Sequence, residues 1–366
     1  MTGGNGSAGD ASPTMGSGYD GSPPEGSWNG GDGRDGADGD GPLLSVRDLR
    51  KYYPVTSGVL GRRVGEVKAV DGVSFDLRAG ETLAVVGESG CGKSTMAETL
   101  IGLSEATGGE VRVRGEALSD RTGRSVRREV QMVFQDPFST LNERMTVGRI
   151  VAEPLAIHGE RTEDREGYVR DLLDTVGLEP DQYYGAFPHE LSGGQRQRVG
   201  IARALALNPS LVVADEPVSA LDVSIQAQIL ELLADLQAEF GLTYLVITHD
   251  MSVVRQIADR VAVMYLGRIV ELGGVDEVFD DPQHPYTESL LSSIPRVTAD
   301  PATDRRIRLE GSPPDPSAPP SGCNFHPRCH LYEDLPPEER TRCEREDPES
   351  EETGDRCLSC HFRPEP

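Results

Sequence analysis

Lysine is nearly missing from this 366-residue chain: Lys51, Lys68 and Lys93 are the only three, and arginine supplies the other 33 of its 36 basic side chains. Against 61 acidic residues this leaves a formal charge of −25. Residues 1–42 and 296–366 each carry −6, so −13 lies between them and the excess is not confined to the ends. A field this negative repels nucleic-acid phosphates and anionic lipid head groups, which disfavours direct binding to either. Aromatic residues are also scarce, at 5% with one tryptophan. Nothing approaches the roughly 18 to 20 consecutive apolar residues of a membrane-spanning helix; apolar runs such as Leu211–Ala214 are strand-sized. No basic region followed by an apolar segment opens the chain, so a secretory leader is not expected and the cytoplasm is.

Residues 1–41 are dominated by Gly, Ser, Asp and Pro, too little apolar surface to offset ordering entropy, and read as a disordered tail. From Pro42 the texture changes. Leu43, Leu44, Val46 and Leu49, and then the alternation Val73–Leu77 before Ala79-Gly80, predict an antiparallel hairpin. Thr82–Val86 reads as a buried strand leading through a glycine loop into a helix over about Ser94–Leu103. A mostly helical stretch over about 138–203, with Val169, Leu172, Leu173 and Val176 at helix spacing, separates two strand-rich regions and reads as an inserted subdomain. Strands return at Leu211–Ala214 and Thr243–Thr248 around a helix over Ile225–Leu236, a βαβ unit that implies a parallel sheet. Val261–Tyr265 and Arg268–Glu271 form a second predicted hairpin. Beyond Pro295 the chain is proline-rich and then cysteine-bearing, the pattern of a linker and a small separate module. No internal repeat is present, so the chain is a single unit and not a tandem pair.

Gly87-Glu88-Ser89-Gly90-Cys91-Gly92-Lys93-Ser94-Thr95 matches the phosphate-loop pattern G-x-x-x-x-G-K-[ST] between a strand and a helix. Its glycines let backbone N–H groups converge on phosphates, and the helix N-terminus adds partial positive charge. Lys93 is placed to neutralise β- and γ-phosphates and the Ser94 hydroxyl to ligate Mg²⁺. The apolar strand Leu211–Ala214 delivers Asp215 and Glu216 at its carboxyl end, where ligands collect in parallel sheets. Asp215 then holds Mg²⁺ through water, and Glu216 polarises the attacking water as general base. Leu191-Ser192-Gly193-Gly194-Gln195 opens an amphipathic helix and forms a second anion-binding cap, remote in sequence from the phosphate loop.

With that last motif the chain resembles the ABC ATPases. The resemblance covers roughly residues 43–290 and implies a P-loop NTPase of α/β class: a RecA-like parallel core, an antiparallel β subdomain and an inserted helical subdomain. It implies ATP and Mg²⁺ as ligands. Ser192, Gly193, Gly194 and Gln195 are then expected to contact the γ-phosphate bound by another subunit, closing a head-to-tail dimer around two nucleotides. Gln135 matches the glutamine set between Mg²⁺, water and the membrane partner. Ser219–Asp222 matches the loop that lines the dimer seam, His249 the switch histidine that works with Glu216, and Tyr53 the adenine-stacking aromatic, with Tyr52 adjacent.

His284-Pro285-Tyr286-Thr287, Leu290-Leu291, Ile294-Pro295 and Gly322–Cys329 resemble the C-terminal extension of the oligopeptide/dipeptide importer ATPases, as does the insertion Thr56–Glu66. The resemblance implies two transmembrane permease subunits, a second ATP-binding subunit (identical or paralogous), and indirectly an extracellular solute-binding protein. Relatives in that group are assigned peptides, nickel or sugars. Five of six cysteines crowd the tail, which in a reducing compartment favours metal over disulfide; iron–sulfur, zinc and free thiols all stay open. The resemblance favours a 4Fe–4S cluster on Cys323, Cys329, Cys343 and Cys360, with Cys357 spare. The rival class is a soluble ABC ATPase of nucleic-acid maintenance or translation, which usually carries a long coiled coil, a second ATPase unit or a basic surface. The composition also resembles that of proteins from salt-loving microbes, where dense counterions screen self-repulsion.

Overall fold

The computed structural model describes residues 41–57, 62–120, 123–160, 162–294, 307, 309 and 311–362; the tail expected over 1–41 falls almost wholly outside them. Two sheets organise the chain. The first is antiparallel, in the order β2-β1-β4-β5, with β1 at Leu44–Ser57, β2 at Arg62–Leu77, β4 at Gly108–Val113 and β5 at Glu116–Ala117. The predicted hairpin is present and longer than its apolar alternation indicated. Register runs from Leu44 opposite Leu77 to Ser57 opposite Arg62, so the described residues of the insertion, 56–57 and 62–66, lie at the far end of the pairing.

The second sheet has eight strands in the order β11-β12-β10-β9-β3-β8-β7-β6. Its centre is parallel: β6 (Val130–Val133), β7 (Leu211–Asp215), β8 (Thr243–Thr248), β3 (Thr82–Val86) and β9 (Arg260–Tyr265). Every residue of β3, β7 and β8 is buried, which is why these strands read as unbroken apolar runs: helices cover both faces. The helices are α1 (Lys93–Leu100), α2 (Gly123–Glu129), α3 (Pro137–Thr140), α4 (Val147–His158), α5 (Arg165–Thr175), α6 (Pro180–Tyr183), α7 (Gly193–Leu205), α8 (Val223–Phe240), α9 (Met251–Ile257), α10 (Val275–Asp280), α11 (Pro285–Ser292) and α12 (Pro337–Arg345). Helix α1 stops at Leu100, three residues short of expectation, where the chain turns through Ile101 and Gly102. Helices α3 to α7 fill the interval between β6 and β7.

The C-terminal segment is not a module set apart. Strands β11 (Glu351–Thr353) and β12 (Arg356–Leu358) extend the main sheet, β12 pairing antiparallel with β10 (Arg268–Gly274) through Glu271 opposite Leu358 and Leu272 opposite Cys357. Phe325 of the same segment is 2% exposed and joins the core cluster of Tyr265, Tyr286 and Val278. Proline and cysteine content marked where the chain changes texture; it held no information on the β10 edge, which offers unpaired backbone groups that the tail satisfies.

Candidate active site

Parallel register brings the carboxyl ends of four strands side by side. Val86 lies opposite Thr248, Asp215 opposite Ile247, and Ala214 opposite Val133. The residues just beyond these ends are Gly87, His249, Glu216 and Gln135, so segments far apart in sequence deliver their side chains to one edge.

The phosphate loop wraps a cavity of about 240 Å³ lined by Lys68, Ala69, Ser89, Gly90, Cys91, Gly92, Lys93, Ser94, Thr95, Gln135, Glu216, Gly267 and Pro316. Gly92 sits at φ +109°, and a Cβ there would lie 1.9 Å from the Ala69 carbonyl oxygen, so only glycine fits. Lys93 is 6% exposed, its Nζ donating to the carbonyls of Gly87 at 2.7 Å and Glu88 at 3.0 Å. Cys91 is buried, and burial pushes its thiol up from the usual range; it packs the loop's inner side.

Asp215 is 6% exposed, and burial raises its pKa against the opposing hydrogen bond from Ser94. Its Oδ1 is buried with no hydrogen-bond partner among the described residues. An orphaned carboxylate oxygen beside a hydroxyl is a hard, anionic donor set of the kind Mg²⁺ takes. The next residue, Glu216, adopts φ +45°, a strained backbone for a non-glycine residue and one that clusters at functional sites. Its N–H is anchored on the Ile247 carbonyl at 2.8 Å. Gln135 Nε2 donates to Glu216 Oε2 at 2.7 Å, and His249 Nδ1 lies 3.0 Å from Oε1. Gln135, Asp215, Glu216 and His249 therefore meet beside Lys93 and Ser94, as their motifs implied.

Ser192 caps α7 with a reciprocal box: its Oγ accepts from the Gln195 N–H at 3.3 Å, and Gln195 Oε1 accepts from the Ser192 N–H at 2.9 Å. Gln195 Nε2 also donates to the Tyr183 hydroxyl at 2.8 Å. None of Ser192, Gly193, Gly194 or Gln195 lines the phosphate-loop cavity. Asp222 caps α8, accepting from Ile225 N–H and the Ser224 hydroxyl; the bond from Ser224 chiefly holds its carboxyl below the usual range. Val223 beside it is 82% exposed. The two tyrosines divide: Tyr52 donates its hydroxyl to Asp71, and burial with that bond pushes it up to about 12, while Tyr53 is 39% exposed.

In the tail, Cys323, Cys329, Cys343 and Cys360 are free thiols. Burial raises each, and neighbouring thiols add to the shift of Cys329, Cys343 and Cys360. Cys357 stands outside this set, bonded to Ser350. Among the described residues, no group of three or more His, Cys, Asp or Glu is gathered closely enough to hold a metal ion. The described residues therefore give the expected iron–sulfur ligand set no support. The sequence reading also missed two residues at the nucleotide edge, Pro316 and Arg328; the latter pairs with Glu88 at 2.6 Å. No local pattern signals a contact across 240 positions.

Residues 70–219 match the ABC transporter family, and residues 270–334 match the family of the oligopeptide/dipeptide transporter C-terminal region. The oligopeptide transport ATP-binding protein AppF of Bacillus subtilis is 52% identical over 327 residues, covering 87% of this chain and 97% of that protein. The dipeptide transport ATP-binding protein DppF of Escherichia coli is 51% identical over 293 residues, covering 79% and 86%. Among solved structures, the dimeric post-hydrolysis state of the ATP-binding cassette MJ0796 bound to ADP and Pi superposes with a TM-score of 0.56 at 30% identity, covering 64% of this chain and 99% of that one. An ABC cassette with the phosphate loop, signature cap and peptide-transporter extension in one chain has one place among these families: the chain belongs to the ATP-binding subunits of the oligopeptide/dipeptide ABC transporters.

Proposed function

We propose that the chain hydrolyses ATP, as one half of a head-to-tail dimer, to power the import of peptides through two transmembrane permease subunits supplied by an extracellular binding protein. The observation that carries this is the division of phosphate grips: the loop at Lys93 and Ser94 opens on Glu216, while the Ser192 cap of α7 lines no part of that cavity. A cap that points away from its own nucleotide is useful to a second subunit's nucleotide.

In this reading Lys93 leaves the Gly87 and Glu88 carbonyls to meet the β- and γ-phosphates, and Ser94 with Asp215 would hold Mg²⁺, which would supply neutralisation of developing phosphate charge. Glu216, oriented by Gln135 and His249, takes the proton of the attacking water. Tyr53 offers its open face to adenine, since Tyr52 is committed to Asp71. A groove of about 500 Å³ lined by Leu103, Phe134, Pro154 and Ile157 lies between the main sheet and α4; Leu103 and Ile157 are 53% and 60% exposed. Arg127, Glu153, His158 and Arg203 line it as well, so it suits a permease segment with both apolar and polar side chains; that contact would hold the chain at the cytoplasmic face of the membrane. No helix among the described residues is long and apolar enough to cross a membrane.

The test is reconstitution with the permeases and binding protein: ATP-dependent peptide uptake supports the reading, and uptake of nickel or sugar in place of peptide overturns the cargo. Iron and sulfide analysis of anaerobically purified protein decides whether Cys323, Cys329, Cys343 and Cys360 take a 4Fe–4S cluster; a zinc-loaded or metal-free sample retires it. The −25 charge suits concentrated salt, so ATPase activity should rise from low to molar KCl.

A further inference from the structure

The C-terminal segment reaches the phosphate loop through one side chain. Arg328 is almost wholly enclosed, and it forms two parallel bonds to Glu88: Nη1 to Oε2 at 2.6 Å and Nη2 to Oε1 at 3.0 Å. Its guanidinium also lies over the Tyr265 ring, 6.0 Å from the centroid. Paired bonds of this kind fix direction as well as distance, which a point charge does not.

Glu88 is the second residue of the loop, and its other atoms are engaged too. Its N–H donates to the Tyr286 hydroxyl at 2.8 Å, and its carbonyl accepts from Lys93 Nζ at 3.0 Å. Arg328 is thus two contacts away from the lysine that meets phosphate. The turn that bears it is stiff. Arg328 N–H bonds the Phe325 carbonyl at 2.9 Å, Cys323 N–H bonds the Cys343 carbonyl at 2.9 Å, and the Phe325 ring stacks edge-on to Tyr265 at 5.2 Å. Gly322, at φ +66°, opens the turn where a Cβ would lie 2.4 Å from the Cys343 carbonyl oxygen. Upstream, Pro316 lines the nucleotide cavity itself and accepts from the Lys68 N–H at 3.4 Å.

A bare carboxylate at this position would repel a polyphosphate, and an unheld Glu88 would let the loop and Lys93 drift. We propose that Arg328 is a positioning residue for nucleotide binding: acting through Glu88, it fixes the phosphate loop and cancels the one acidic charge within it. The C-terminal segment is then a structural part of the ATP site. This rests on reading the Lys93 loop as the nucleotide site, so the experiment separates the two.

ADP affinity is titrated in the full chain for Arg328→Lys, Arg328→Gln, Glu88→Gln and the double variant, with melting curves alongside. Arg328→Gln is expected to raise the ADP Kd and the KM for ATP about tenfold with kcat changed less than about twofold, and Arg328→Lys, which keeps charge and loses the paired geometry, about threefold. In the Glu88→Gln background Arg328→Gln should add less than about twofold, because its partner is gone. Wild-type affinity in both Arg328 variants, an equal loss in both backgrounds, or a lower melting temperature with unchanged affinity overturns the proposal. If Arg328→Gln does not fold, Arg328→Lys decides by the same criterion. Lys93→Ala is the separate control: undiminished ADP binding there would sink the site reading itself.

Discussion

His249 Nδ1 stands 3.0 Å from Glu216 Oε1, and the two residues follow neighbouring parallel strands, β8 and β7. Gln135, just beyond β6, takes the other carboxylate oxygen at 2.7 Å. The carboxylate is therefore aimed by groups from the two flanking strand ends. Because Glu216 adopts a strained backbone, its direction is overdetermined by the sheet and not left to rotamer choice.

Replacing Glu216 by Gln keeps the shape and both neighbours but removes the proton acceptor. We expect turnover to fall about 10²- to 10⁴-fold, the usual range for a positioned general base, with ATP binding retained. The variant should then accumulate as an ATP-bound dimer, measured by light scattering and phosphate release. Turnover near wild type would remove Glu216 from the base role.

The apolar run Leu211–Ala214 pointed to Glu216 on its own, since ligands collect at the carboxyl ends of parallel strands, whereas Gln135 and His249 were marked only by the family resemblance. The loop at Lys93 and the cap at Ser192 were legible because each carries its own local glycine and hydroxyl chemistry. The tail was not. Pairing of β12 with β10 rests on two residue pairs, too short for a hydrophobic period to announce. Arg328 and Glu88 meet only because Phe325 docks beside Tyr265 and Tyr286, a tertiary event with no sequence period at all. For the cysteines, composition showed only that five of six crowd the tail; the choice of Cys323, Cys329, Cys343 and Cys360 over Cys357 came from the family resemblance, and spacing in a chain says little about how near sulfurs come.

Asp215 offers a test of sign. Burial raises its pKa, so the folded state holds the proton more tightly than the unfolded chain, and the carboxylate costs stability at pH values above that raised pKa. Asp215→Asn should melt higher than wild type without nucleotide and gain less from added Mg-ATP. A variant that melts lower in both conditions would show that the Asp215 charge is already satisfied without a cation.

His284 makes the chain sensitive to mild acid. It is wholly buried, and burial, helped by the neighbouring His330, lowers its pKa to about 3. Its Nδ1 accepts from the Tyr286 N–H at 3.0 Å, its own N–H donates to Glu271, and a bond to the Ser359 backbone opposes the shift. The unfolded chain takes up a proton near pH 6.5 and the folded one does not, so this contribution is full above 6.5 and lost as pH falls toward 3. The slope is up to about 1.4 kcal/mol per pH unit. His284→Asn keeps an acceptor at the start of α11 and should flatten stability between pH 6.5 and 4 in urea titrations; parallel curves for the two proteins would discard the assignment.

If the groove at Leu103 and Ile157 seats the permease, changes there should separate hydrolysis from transport. Both side chains are largely exposed, while the cluster of Glu216, Gln135 and His249 depends on strand ends that they do not hold. Introducing a charge at either position should leave the fold intact, since surface changes away from packing features usually shift stability by no more than about 0.5 kcal/mol. A desolvated charge facing the apolar part of a permease segment, in contrast, weakens docking. Leu103→Asp and Ile157→Asp are therefore expected to keep the ATPase of the isolated subunit within about twofold and to lose most peptide uptake in reconstituted vesicles. Equal loss of both activities would place the groove in the hydrolytic machinery, and full uptake in both variants would move the permease contact to another face.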